Sequence, residues 1–231
     1  MYQMLEAHVL TVIIVVGSIM VTPFYVLGTY VFSGASPKKG MQIGSAFLLW
    51  GAFMFWVCLS DTPRRLGLAG NLIVPVSWIL PSLVLYWKRN WFLSAKLSQK
   101  WLIGLQLFRV IGGVFLIEMV RGHIPGVFAY PAGIGDILVG LVALVILLAY
   151  RKSARVPKSG VFLVIALGVA DFLSAFFFGI TSSEGPFQLF YPNITNNLIL
   201  FPTGMIPLFL VPYAIFFHTL SILNYSKFER E

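Results

Sequence analysis

Seven apolar stretches, each long enough to cross a bilayer as a helix, alternate with short loops, and nearly all Lys and Arg fall on every second loop. Few folds satisfy both halves of that pattern. The hydrocarbon core of a membrane is roughly 30 Å thick and offers no partners to backbone N–H and C=O groups, so about 20 consecutive apolar residues read as a spanning helix. The stretches run near residues 9–32, 41–60, 66–87, 101–120, 130–150, 160–180 and 198–223. With 58% hydrophobic and only 10% charged residues, the chain has too little polar surface to coat a water-soluble globule of 231 residues. The expectation is an all-α polytopic bundle of seven transmembrane helices forming a single domain over residues 1–231.

The loop charges set the expected orientation. Lys38, Lys39, Lys88, Arg89, Lys96, Lys100, Arg151, Lys152, Arg155, Lys158, Lys227 and Arg230 fall on one side, against Arg64, Arg65 and Arg121 on the other. By the positive-inside rule the richer side is cytoplasmic, which places the N-terminus outside and the C-terminus inside. The formal net charge of +8 then reads as a topology signal and an attraction to anionic headgroups. No basic, aromatic-interleaved module points to nucleic acid. The start lacks the basic flank and short core of a cleaved signal peptide. Tyr2, His8, Trp50, Trp56, Trp78, Trp87, Trp91 and Trp101 supply aromatic-belt candidates, and the single Cys58 excludes an internal disulfide.

The first three stretches carry no charged residue. An ionisable group at the bilayer centre costs at least about 2.5–3.5 kcal/mol on insertion scales, so Arg109, Glu118, Asp136, Asp171 and His218 each need a partner, water or a task. Counted from the stretch ends, Arg109, Asp171 and His218 form an inner-to-middle group that Gln106, one turn before Arg109, can join. Glu118, Arg121, His123 and Asp136 form an outer group, with Glu118 and Arg121 spaced for a local ion pair. Arg109 and Asp171 read either as a buried pair that fixes helix packing or as a solute, ion or proton site. His218 reads as an interhelical hydrogen-bonder or as a proton-transfer group.

The segment Pro125-Gly126-Val127-Phe128-Ala129-Tyr130-Pro131-Ala132-Gly133-Ile134-Gly135-Asp136 joins a turn to a helix start, and its small residues predict close packing of the fourth and fifth helices. Pro202, Gly204, Pro207 and Pro212 predict a broken seventh helix that could gate a polar interior, since each proline removes a backbone donor. Asn193-Ile194-Thr195 is formally a glycosylation acceptor.

Several functions fail simple tests. Every Lys falls outside the seven stretches, so no retinal Schiff base can form in the last helix. No zinc-ligand spacing, P-loop or dinucleotide fingerprint occurs, and His8 with His123 is the sole axial pair for a haem, so no metal or cofactor is expected. A three-plus-one-plus-three repeat like that of sugar-exporting SWEET proteins fits the helix count, without their Pro-Gln signature. Gly133-Ile134-Gly135-Asp136 resembles the GxGD element of intramembrane aspartyl proteases, which implies Asp136 and Asp171 as a catalytic dyad; here the second aspartate follows the element instead of preceding it.

More broadly, Arg109-x-x-Gly112-Gly113-x-Phe115-Leu116, then Ile124-Pro125-x-x-Phe128-Ala129-x-Pro131-Ala132-Gly133-x-Gly135-Asp136, then Pro207 to His218 resembles a group of small bacterial multi-pass membrane proteins. The resemblance implies a bacterial inner membrane and carries no established activity. The leading expectation is binding or transport of a small solute or ion through helices four to seven, with Arg109, Gln106, Asp136, Asp171 and His218 as the binding or proton-relay set. The alternatives are the protease and a receptor or assembly scaffold. Partners are the bilayer, the solute or ion and, among proteins, a second copy of the chain.

Overall fold

The computed structural model describes residues 9–228, and every regular element among them is helical. Helices α1 (Val9–Phe32) and α2 (Pro37–Leu59) pack as a hairpin. Pro37 suits the first turn of α2, where its missing N–H has no intrahelical acceptor anyway. The short α3 (Thr62–Arg65) and a 3₁₀ turn at Gly67–Leu72 lead into α4 (Ile73–Trp87), followed by α5 (Arg89–Phe92). Next come α6 (Gln99–Gly104), a 3₁₀ segment at Leu107–Gly112, and α7 (Gly113–Val120). Helices α8 (Gly126–Ala149) and α9 (Lys158–Thr181) follow, and a π segment at Ile206–Leu210 runs into α10 (Val211–Phe228).

Among the described residues, six helical stretches are long and apolar enough to cross a membrane: α1, α2, Gln99–Val120, α8, α9 and Ile206–Phe228. Helix α4, at 15 residues, is shorter. Large apolar side chains cover the outer faces, among them Phe24, Leu49, Leu83, Val145 and Leu173, all exposed. A continuous apolar exterior of this kind fits lipid as solvent. The interior is organised about α10, whose residues Val211–Ala214, Phe216–His218, Leu220 and Ser221 are all buried. A helix apolar on every side is a central one.

The two ends of the bundle differ in chemistry. At one end Lys39 Nζ donates to the Trp91 carbonyl, Lys100 Nζ to those of Arg151 and Ser153, and Lys227 Nζ to that of Leu93. At the other, Arg64 donates to Asn197 Oδ1 at 2.9 Å, and the Asn197 amide donates to the His123 carbonyl. The basic loops are thus gathered on one side, apart from Arg64, Arg65 and Arg121. Tyr2, His8 and Arg230 lie outside the described residues.

Three expectations need correction. The stretch expected as one helix over 101–120 runs as one helical span but is not α-helical throughout: Gln106 N donates to Ile103 O and Arg109 N to Gln106 O, a tighter i→i+3 ladder midway along it. The last helix starts at Ile206 instead of near 198, because residues 198–204 are turns; Pro202 and Gly204 therefore precede the helix and do not break it. Pro207 and Pro212 do lie within the helical run, where the backbone widens to i→i+5 pairing and Val211 N donates to Ile206 O. In that register Pro212, lacking an N–H, leaves the Pro207 carbonyl without a backbone donor. Trp78 Nε1 fills the position at 2.7 Å, so this tryptophan reaches into the bundle instead of joining an interfacial belt.

Candidate functional site: a buried arginine between two aspartates

Arg109 sits in the 3₁₀ segment, 1% exposed. Its Nε donates to Asp136 Oδ1 of α8 at 2.7 Å, and its Nη2 donates to Asp171 Oδ2 of α9. The guanidinium carbon lies 4.1 Å from the ring centroid of Phe172, a cation–π contact in a desolvated setting. His218 of α10 packs edge-on to the same ring at 6.0 Å. Four segments of chain therefore supply one cluster. All four polar residues lie ten to twelve residues from helix ends on the same side of the bundle, which at about 1.5 Å per residue is about 15–18 Å deep.

The expected split into outer and inner groups is redrawn by this geometry. Asp136 belongs with Arg109, because α8 begins at Gly126, four residues before the apolar stretch, and the extra turn carries Asp136 to mid-helix. The outer group is Glu118, which accepts from Thr11 Oγ1 at 2.6 Å and from Arg121 Nη1 at 3.1 Å, and is 2.8 Å from His123 Nδ1. Asn196 donates to Ser182 Oγ beside this end, and Asn197 holds Arg64.

Close approach of the charged groups depends on glycines from three segments. A Cβ at Gly112 would overlap the Asp136 side chain, one at Gly135 the Asp171 carboxylate, and one at Gly168 the His218 ring and Arg109 Nη1. Gly133 and Gly140 of α8 meet the Gly112 carbonyl and the Val110 backbone, both at 3.1 Å from an added Cβ. These two make the close contact between the fourth and fifth stretches, while Gly135 faces α9 instead. Gly168 and Phe172 were not among the candidate residues. The signal was present in Gly168-x-x-Asp171-Phe172, which places all three on one helix face.

The cluster is incompletely satisfied. Arg109 Nη1, Asp171 Oδ1, His218 Nε2 and both polar atoms of the Gln106 amide are buried with no hydrogen-bond partner. Arg109 Nη1 and His218 Nε2 both face the space over the Gly168 Cα. Orphaned buried polar atoms typically cost about 1–3 kcal/mol each, so they mark positions where something else can bind. With a neutral imidazole and both carboxyls ionised, the single guanidinium leaves the set at a formal charge of −1.

A family model described as "Domain of unknown function (DUF8737)" matches residues 68–224, a span that includes every residue of the cluster. No curated protein and no solved structure matches the chain.

Proposed function

The chain belongs to the DUF8737 family, whose description assigns no activity, and we propose from the geometry of the buried charges that the protein binds and conducts a small cation, a proton or a monovalent metal ion, across a membrane. The supporting observation is the imbalance at Arg109: two carboxylates on one guanidinium, with Asp171 Oδ1 left unpartnered. A net negative charge at membrane depth is unfavourable unless a counter-charge accompanies it. A cation at Asp171 Oδ1 neutralises the set.

In this reading the chain crosses the membrane seven times. Helix α4 contributes about 22 Å, and the preceding six-residue 3₁₀ turn adds about 12 Å, enough together for a core of roughly 30 Å. The basic end faces the cytoplasm, and a bacterial inner membrane is the setting. Gating is assigned to the 3₁₀ segment at Leu107–Gly112, because a switch between 3₁₀ and α pairing would rotate Arg109 relative to α8 and α9.

Proteolysis by Asp136 and Asp171 fits the geometry less well. The guanidinium occupies the ground between the carboxylates where a shared proton and an attacking water would have to sit.

Proteoliposomes loaded with a pH-sensitive dye test the proposal under an imposed potential, with Na⁺ and K⁺ varied separately. Flux should fall at least about tenfold in Asp171→Asn and in Arg109→Ala. Flux equal to wild type in both variants, or no flux above empty liposomes in the wild type, would overturn it.

A further inference from the structure

Away from the charge cluster, at the basic end, the C-terminal end of α1, the loop before α6 and the loop between α8 and α9 border an open hollow of about 350 Å³. Lys96, Lys100, Arg155, Ser33 and Ser98 line it, with Val156 buried at its apolar side. A second hollow, of about 340 Å³, shares Arg155 and adds Lys158, Tyr150 and Tyr225. Both volumes fall in the usual range for small-ligand sites, about 300–1,000 Å³.

The walls are fixed by buried polar anchors. Asn224 accepts from Leu97 N and donates to Leu97 O, each at 2.9 Å, while Gln99 and Ser221 exchange two hydrogen bonds. Ser98 N donates to Ser33 Oγ at 2.9 Å, which ties the end of α1 to the same loop. Lys100, held by the carbonyls of Arg151 and Ser153, links the loop to the far wall. Positive charge is thus presented on a braced frame instead of on free loop tips.

We infer that this hollow is a binding site for a phosphate-bearing anion. Arg155 supplies planar, bidentate donors suited to phosphate oxygens, Lys96 and Lys100 add positive charge along the wall, and the Ser98 hydroxyl is placed among them. The apolar side at Phe32 and Val156 suits a ligand that also carries hydrocarbon. The phosphate can come from an acidic lipid headgroup or from a soluble phosphate.

The test uses the full chain, delipidated in neutral detergent, and native mass spectrometry with phosphatidylglycerol, phosphatidylcholine and inorganic phosphate. Phosphatidylglycerol should be retained at least about tenfold more tightly than phosphatidylcholine. That preference should be lost in Lys100→Ala/Arg155→Ala, and kept in Lys88→Ala/Arg89→Ala, which removes the same charge from the same end outside the hollow. Arg155→Ala alone removes an exposed side chain, leaves the Lys100 contacts in place, and should lose about half of the effect on a logarithmic scale. Displacement of the lipid by inorganic phosphate would support the site and assign it a soluble ligand. Equal binding of the two lipids, or equal loss in the two double variants, would overturn it.

Discussion

Replacing Asp171 by Asn tests how many carboxylate charges the cluster needs, because a network that needs both loses an ion pair and one that carries a negative charge in excess does not. If the network of Arg109, Asp136 and Asp171 needs both carboxylate charges, removing either costs about 3–5 kcal/mol. If the triad carries one negative charge too many, Asp171→Asn leaves Arg109 and Asp136 as a one-to-one pair. The Asn amide oxygen can still accept from Arg109 Nη2, so the loss reduces to the difference between a charged and a neutral acceptor, about 1 kcal/mol. Arg109→Leu leaves two uncompensated carboxylates in either case and costs about 3–5 kcal/mol. For a chain of this size each kcal/mol shifts the melting temperature by about 2–4 °C. Thermal unfolding of the detergent-solubilised protein should therefore show a drop of about 2–4 °C for Asp171→Asn and about 6–20 °C for Arg109→Leu. A fall in Asp171→Asn as large as that in Arg109→Leu would refute the charge-imbalance argument.

Two further substitutions probe the surroundings without altering the charges. Gly168→Ala places a methyl 2.8 Å from Arg109 Nη1 and against the His218 ring, so it should cost about 1–3 kcal/mol in melting experiments and reduce cation flux at least about tenfold, although every ionisable group remains. Trp78→Phe keeps most of the ring contacts with Phe172 and Phe176 but removes the donor to the Pro207 carbonyl; a loss of about 1–3 kcal/mol is expected, and unchanged stability would mean that the carbonyl finds another donor.

The membrane-compatible helical architecture was legible because length and apolar composition are what a bilayer selects, and α1 ends where its apolar run does. The local helix type was not legible. Apart from Arg109, Leu107–Gly112 is apolar like the α-helical runs, and the tightening to 3₁₀ answers to tertiary contacts: the Gly112 carbonyl on Gly133, the Val110 backbone on Gly140 and the two carboxylates on Arg109. Nor does sequence reveal that Trp78 replaces the donor that Pro212 lacks, because the two residues meet only in the fold. The candidate site was partly legible, since charged residues within apolar runs are few and their insertion cost sets them apart. Their mutual distances depend on where each helix truly begins. Counting Asp136 from residue 130 put it near the surface, whereas the helix start at Gly126 puts it beside Arg109.

The placement of glycine ties these observations together. A buried ion pair needs only that its members reach one another, and long side chains such as Arg109 do so from ordinary helix spacings. Here three segments each give up a side chain opposite a charged or imidazole partner, at Gly112, Gly135 and Gly168, which draws the backbones in and packs four polar residues into one layer. Such close packing should let the groups satisfy one another fully. Five buried polar atoms nevertheless remain without partners, and two of them share the gap over Gly168. Tight backbone packing combined with unsatisfied polar atoms is what the proposed cation site rests on, with Asp171 Oδ1 as its acceptor.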